Sequence, residues 1–364
     1  MLASPPKTRT AAHVIAAMSG GVDSSAAAAL LVEQGYTVTG VTMRVASGEG
    51  RESSEKACCT LDAAEDARRV ADRIGVPHYV LNYIRRFEED VIEDFTQEYL
   101  AGRTPNPCSR CNQRVKFGAL FEKAAAVQAD CIATGHYVRK VERDGRFGLR
   151  RAAYRPKDQS YTLAGLGQAQ LARALFPLGD LTKDETRRLA RKWGLITAEK
   201  PESQEICFVP NDNYRDFLEA RAGAARPGPI VTRAGEVLGE HHGLTHYTVG
   251  QRKGLGIAAP EPYYVLRIDP ARNAIVVGHA DETFSRGLSA SEVVWGLMPP
   301  GSDSFRCHVQ IRYRHQPVPA VCYPTGEDTF EAEFDYPERA VTPGQWAVLY
   351  GDDDAVLAAG LIDG

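Results

Sequence analysis

Over the first two hundred residues, short apolar runs alternate with amphipathic helical segments. HVIAAM (13–18) leads through SGGVDSS into the Ala-rich SAAAALLVEQG (25–35), and YTVTGVTMRV (36–45) is a second strand-like run. LDAAEDARRVADRIG (61–75) has the 3.6-residue apolar period of a helix, VPHYVLNY (76–83) reads as a third strand, and FEEDVIEDFTQEYL (87–100) and FGALFEKAAAVQA (117–129) read as helices. DCIATG (130–135) is a fourth strand, and LTKDETRRLARKWG (181–194) is a helix opened by a Thr182 to Glu185 capping box. This alternation predicts a parallel sheet covered by helices on both faces, the doubly wound α/β arrangement. The pattern changes near Asn213. A short helix, NYRDFLEARA (213–222), is followed by Gly- and Pro-punctuated runs of β-branched residues such as GPIVTRAGEVLG, PYYVLRIDP and NAIVVGH. From about Leu288, the runs VVWGL, FRCHVQIRY, FEAEFDYP and WAVLYG predict a small antiparallel barrel or sandwich, with Asp352 to Asp354 as a turn. The changes in pattern divide the chain into 1–212, 213–284 and 285–364.

Composition narrows the class. A length of 364 residues exceeds one typical domain, and 43% hydrophobic with 25% charged residues is ordinary for a globular protein. No apolar run approaches the roughly 18 residues of a membrane span, and the first residues lack a signal-peptide layout, so the chain reads as cytoplasmic with no membrane partner. Eight cysteines are too few for a disulfide scaffold. Cys131, Cys307 and Cys322 lie in apolar alternation and read as small core residues, and the adjacent Cys58 and Cys59 are poorly placed to share a ligand. Cys108, Cys111 and Cys207 remain for chemistry. In PNPCSRCN (105–112) the first two are three positions apart, a spacing that fits half a metal clip, a redox pair or a single nucleophile with a neighbour.

A formal net charge of −4 argues against general attraction to nucleic acid, yet the cations are clustered. Arg139 to Lys157 holds eight basic against two acidic residues, and RCHVQIRYRH (306–315) holds three Arg and two His with no acid. Two such stretches suggest a surface that tracks phosphates.

SGGVDSS (19–25) sits between a strand and a helix, where small residues let backbone N–H groups meet an anion at the helix N-terminus. It matches neither the Walker GxxxxGK[ST] pattern nor GxGxxG. It resembles the pyrophosphate loop of the N-type ATP pyrophosphatases, which split ATP between its α- and β-phosphates. PNPCSRCNQRVKFG, ATGHY (133–137), KDQSYTL (157–163), SQEICFV (203–209), YTVGQRKGLG (247–256), IRYRH and TPGQWAVLY follow in order. Together they resemble the tRNA-specific 2-thiouridylases of the MnmA type over essentially the whole chain.

That resemblance implies an ATP pyrophosphatase domain (1–212), a central α+β domain (213–284) and a C-terminal β-barrel (285–364). It implies an ATP-dependent exchange of the C2 oxygen of a tRNA wobble uridine for sulfur, with adenylation of the oxygen first and release of AMP and pyrophosphate. Ala17, Met18, Ser19, Gly20, Gly21, Val22, Asp23 and Ser24 would hold the phosphates, Met43 and Gly135 would line the adenosine site, and Asp23 would help place Mg2+. Cys207 would take sulfur as a persulfide from a sulfur-carrier protein, with Cys111 as its partner thiol. Asn106, Pro107 and Cys108, His136, the Lys157–Asp158–Gln159 loop, and Arg312, Tyr313 and Gln345 would contact tRNA. Where much of the family carries Asp, this chain has Cys108. The substitution opens a second route, in which Cys108, Cys111 and Cys207 hold an iron-sulfur (4Fe–4S) cluster with one open iron. A ligase forming amides or amidines would share SGGVDSS but needs no paired cysteines, and a silent tRNA-binding module would need neither loop nor thiols.

Overall fold

The computed structural model describes residues 12–45, 61–201, 206–209 and 213–363. Cys58, Cys59 and the Ser203–Glu205 part of SQEICFV lie outside the described residues. Strands β1 (His13–Ala17), β2 (Thr37–Arg44), β3 (His78–Asn82), β4 (Cys131–Ala133) and, after a hairpin of β5 (Val138–Arg143) and β6 (Arg146–Arg151), β7 (Ala174–Leu175) form the first sheet. Its order is β3-β2-β1-β4-β7, with every pairing parallel.

Side chains alternate across a strand, so β1 divides its residues between two cores. Val14 and Ala16 pack with helices α1 (Val22–Glu33) and α2 (Leu61–Ile74) and with Ala190 of helix α3 (Lys183–Lys192). Ile15 packs on the opposite face with Phe117, Leu120 and Ala124. The second face is not closed by helices alone. Trp346, Val348 and Tyr350 of the C-terminal barrel join the same cluster, so barrel and α/β domain share one continuous core.

The capping box at α3 forms as expected: the Thr182 hydroxyl accepts from Glu185 N–H, and the Glu185 carboxylate accepts from Thr182 N–H at 2.7 Å. The helix expected at Phe117 begins earlier. It starts as the short helix Pro107–Arg110 and continues through a π-helical stretch, Cys111–Ala119, into Leu120–Ala126. Asn106 is the N-cap, its side-chain oxygen accepting from Ser109 N–H at 3.2 Å, and Pro107 occupies the first turn. Asn followed by Pro is the local signal for such a start, since proline at N1 loses no helical hydrogen bond.

The middle of the chain forms a sheet in the order β10-β11-β8-β9, from β8 (Gly228–Thr232), β9 (Val237–His241), β10 (Tyr264–Asp269) and β11 (Ala274–Gly278). The last portion is a closed barrel, not a sandwich. Strands β12 (Phe284–Trp295), β13 (Phe305–Gln310), β14 (Val318–Pro324), β15 (Phe330–Arg339), β16 (Trp346–Tyr350) and β17 (Val356–Ile362) close in the order β12-β15-β14-β13-β16-β17. Closure leaves no unpaired edge, and the interior is filled by Val309, Ala320, Phe330 and Leu349, with Cys307 and Cys322 as core residues. No helix among the described residues is long and apolar enough to cross a membrane.

Candidate active site

The SGGVDSS loop connects β1 to α1 at the carboxyl end of the sheet. Ala17 ends β1, the buried Met18 N–H donates to Val41 O at 2.8 Å, and Val22 opens the helix. Gly20 has a φ of +67°, and a Cβ there would lie 2.1 Å from the Ala63 carbonyl oxygen, so only glycine fits. Ser24 Oγ accepts from Ser19 N–H at 3.1 Å and reaches Gly21 O, which folds the loop back over the first helical turn. Gly21 is the N-cap and provides no side-chain cap. The positive end of a twelve-residue helix is therefore presented without a protein acceptor from its cap residue, an arrangement suited to phosphate. Gly135, just past β4, packs onto this turn: a Cβ there would come within 2.6 Å of Asp23 C and Ser24 N. Met43, near the end of β2, is half-buried against two core clusters.

Asp23 is held by two neighbours. Lys183 Nζ lies 2.7 Å and 2.9 Å from its two carboxylate oxygens, and the Tyr137 hydroxyl donates to Asp23 Oδ1 at 2.9 Å. The carboxylate expected to help place Mg2+ is thus paired with a largely buried lysine. A magnesium ion accompanying ATP would be held mainly by phosphate oxygens and water, its usual mode. A second lysine, Lys200, donates to Gly20 O at 3.1 Å and pairs with Asp66 at 2.7 Å. Sequence reasoning missed Lys183, Tyr137 and Lys200. A signal for the first was available: a lysine in the opening turn of α3 faces the positive end of its own helix, which is unfavourable unless an external anion holds it.

On the Pro107–Ala119 helix, Cys108 is exposed and Cys111 is half-buried. Cys111 and Cys207, 96 positions apart by number (207 − 111), pack against one cluster that includes Phe87, Phe95, Phe208 and Phe217. Met43 packs against this cluster as well, so the expected adenosine site and the thiols share an apolar wall. Among the described residues no group of three or more His, Cys, Asp or Glu is arranged to hold a metal ion. Cys108, Cys111 and Cys207 thus do not form a ready-made ligand set for an iron-sulfur cluster. Cys108 is exposed, whereas Cys111 and Cys207 are half-buried against the aromatic cluster.

The remaining candidates fall into two groups. Gln345 Nε2 donates to Thr104 O at 2.7 Å, and Tyr161 OH donates to Gln345 Oε1 at 3.3 Å. The exposed Tyr313 ring is 6.3 Å from that of Tyr161, so Gln345 and Tyr313 gather beside the segment carrying Asn106, Pro107 and Cys108. Arg312 is exposed next to them and donates to Arg339 O at 3.3 Å. In the second group, Gln159 accepts from Tyr137 N–H at 2.9 Å, Asp158 accepts from Ala152 N–H at 2.8 Å, and His136 Nδ1 lies 2.7 Å from Thr134 Oγ1. Asp158 and Gln159 therefore shape their loop, with Lys157 beside them half-buried.

The basic run 139–157 is not a bare phosphate-tracking surface. Arg143 and Arg150 each reach Asp353 Oδ2 at 2.7 Å, and Arg155 pairs with Asp354. Arg146 donates to the carbonyls of Trp295 and Gly296, and Arg151 donates to Gln310 and stacks over Tyr350. Two carboxylates of the barrel's acidic turn thus pair with three of the eight basic residues of the run. Arg306 is likewise held bidentately by Asp335.

Family models match nearly the whole chain: a tRNA methyl transferase HUP domain over 12–211, a tRNA methyl transferase PRC-barrel domain over 215–279 and an aminomethyltransferase beta-barrel domain over 285–362. The tRNA-specific 2-thiouridylase MnmA of Carboxydothermus hydrogenoformans is 51% identical over 355 residues, covering 96% of this chain and 97% of its own. The chain belongs to the tRNA-specific 2-thiouridylase family. The 2-thiouridylase MnmA of Geobacter metallireducens is 50% identical, covering 96% of both chains. Among solved structures, a 4-thiouridine synthetase in complex with RNA and ATP aligns at 15% identity and a TM-score of 0.35 over 57% of this chain and 50% of its own, too distant to bear on the site.

Proposed function

We propose that the chain is an ATP-dependent tRNA 2-sulfurtransferase acting on the wobble uridine. The observation that carries this reading is the meeting of Cys111 and Cys207 on one apolar cluster that also receives Met43. A uracil carbonyl oxygen is a poor leaving group, so its O2 first attacks the α-phosphorus of ATP. The O–P bond forms and the bond to the β-phosphate oxygen breaks, releasing pyrophosphate. Lys183 holds Asp23 in place beside the phosphates, and the loop amides face the charge that develops there. Mg2+, when bound with ATP, supplies further charge neutralisation.

A sulfur-carrier protein loads Cys207 with sulfane sulfur as a persulfide. Attack of the Cys111 thiolate on Cys207 Sγ forms a Cys111–Cys207 disulfide and expels hydrosulfide. Hydrosulfide adds to C2 of the adenylated base, AMP leaves with the original oxygen, and a thiol reductant restores the pair. The apolar wall keeps water from competing for the activated carbon. In this reading residues 1–212 perform the chemistry, 213–284 connect the parts, and 285–364 form the barrel that meets tRNA, with Asn106, Pro107, Cys108, His136, Lys157, Asp158, Gln159, Arg312, Tyr313 and Gln345 as its contacts. The reaction belongs in the cytoplasm, where thiols stay reduced. The family models' descriptions speak of methyl transfer; a loop built for ATP phosphates and a thiol pair favour thiolation.

The test supplies purified protein with an unmodified tRNA transcript, ATP, a persulfide donor and a reductant. Wild-type protein is expected to release AMP and form 2-thiouridine, and Cys207→Ser to release AMP without forming it. Wild-type thiolation by Cys207→Ser, or ADP as the product, overturns the reading.

A further inference from the structure

Arg110 lies between Cys108 and Cys111 in sequence but points away from both. Successive helical residues are turned by about 100°, so a residue between two thiols spaced three apart faces another side of the helix. That side is the seam with the barrel. Arg110 is 4% exposed, and its guanidinium makes a two-pronged bond with Glu292 of β12, at 2.7 Å and 3.0 Å. Asp94 lies 3.4 Å from its Nε, Gln113 accepts from it at 3.3 Å, and the Trp346 ring is 5.9 Å away.

The barrel strand is shaped to make this contact. β12 changes register between Ser291 and Val294, and Glu292 has a φ of +49°, a left-handed conformation that a glutamate rarely adopts. Bulges of this kind re-aim a side chain, and here the carboxylate is turned onto Arg110. The hydrogen bond from Arg110 keeps the Glu292 carboxyl below its ordinary range, so the pair stays charged at neutral pH. A second stitch lies a few residues upstream: Thr104 N–H donates to Pro343 O at 2.8 Å, and Gln345 donates to Thr104 O at 2.7 Å. The stretch Pro105–Ser109, with Asn106, Pro107 and Cys108, is therefore bracketed by two barrel contacts.

We propose that Arg110 is a positioning residue, and that the Arg110–Glu292 pair couples the barrel's engagement of tRNA to the presentation of Cys108 and Cys111. The proposal rests on the thiolation reading of the same site. RNA engaged by the barrel then bears on the cysteine helix at both ends of the bracketed stretch, and at the Arg110 end the guanidinium is buried and held by Glu292 and Asp94.

The experiment uses the full chain with Glu292→Gln, Arg110→Lys and both together, and an unmodified tRNA transcript with a wobble uridine. Four quantities are read: tRNA KM, AMP release, 2-thiouridine formation at saturating tRNA, and iodoacetamide alkylation rates of Cys108 and Cys111 with and without tRNA. Residues in contact show coupling equivalent to about tenfold in rate. Glu292→Gln is expected to lower thiolation about tenfold while tRNA KM and AMP release stay within about twofold. Arg110→Lys should do the same, and the double variant should be no worse than the worse single. Alkylation of Cys108 and Cys111 should change in the variants and lose its response to tRNA. Wild-type thiolation and alkylation in Glu292→Gln overturn the proposal, and so does a lowered melting temperature with unchanged rates per folded molecule. If the wild-type protein forms no 2-thiouridine the thiolation reading fails, and the tRNA response of alkylation still decides the coupling.

Discussion

Lys183 Nζ bridges both oxygens of the Asp23 carboxylate, at 2.7 Å and 2.9 Å, and so joins the first turn of α1 to the first turn of α3. Two helix N-termini, both positive, are brought together around one carboxylate and one ammonium.

Removing the lysine exposes the worth of this bridge. Lys183→Met leaves Asp23 as an uncompensated negative charge where ATP phosphates are expected. Breaking such a pair costs about 3 kcal/mol, at the lower end for buried pairs because the Asp23 side chain is 32% exposed. AMP release with tRNA should fall about 100-fold, while tRNA binding measured by filter retention stays close to wild type. Undiminished AMP release would remove Lys183 from the phosphate site.

Gly135→Ala places a methyl 2.6 Å from backbone atoms of Asp23 and Ser24. Neither can move as a side chain would, so the loop itself must shift, at a cost of about 1–3 kcal/mol. ATP binding by calorimetry should be lost, with the barrel's near-ultraviolet signal from Trp295 and Trp346 retained.

Burial pushes the Cys307 and Cys322 thiols up to about 12. At pH 8 only about one in 10⁴ is thiolate, the reactive form. Iodoacetamide should label the exposed Cys108 at that pH and leave Cys307 and Cys322 unlabelled until the protein unfolds. Because both folded values lie above the ordinary thiol value of 9.0, their contribution to stability is complete below about pH 9 and is lost as pH rises toward 12. The melting temperature should therefore fall between pH 9 and 11.

Cys108→Asp removes the third thiol and places a carboxylate there. If Cys111 and Cys207 alone move sulfur, this variant should thiolate tRNA in air within about twofold of wild type, since Cys108 faces solvent. A loss of activity together with a loss of bound iron in anaerobic preparations would show that all three thiols act on one cluster.

Arg150 is bound to Asp353 and Arg312 is exposed beside Tyr313. The dependence of log Kd for tRNA on log salt should be unchanged by Arg150→Gln and reduced by about one unit by Arg312→Gln. Equal effects would mean that tRNA displaces the acidic turn.

Local order was legible along the chain because its causes are local. The period of LDAAEDARRVADRIG, the Thr182–Glu185 box and the run HVIAAM before SGGVDSS each fix backbone geometry within a few residues, and α2, the cap of α3 and β1 formed as read. The early start of the cysteine helix was also written locally, in Asn106–Pro107.

What only the tertiary structure decided are the pairings between distant residues. Asp23 and Lys183 are 160 positions apart, and Arg110 and Glu292 are 182 apart. The basic run from Arg139 looks identical in sequence whether it faces phosphate or the Asp353 turn; the choice fell to the barrel, whose closure brings that turn over the β5–β6 hairpin. Electrostatic pairing carries no periodicity and no fixed spacing, so a sequence announces the charges but not their partners. The partners follow from topology, when the hydrophobic core joins the barrel to the sheet and removes those charges from water.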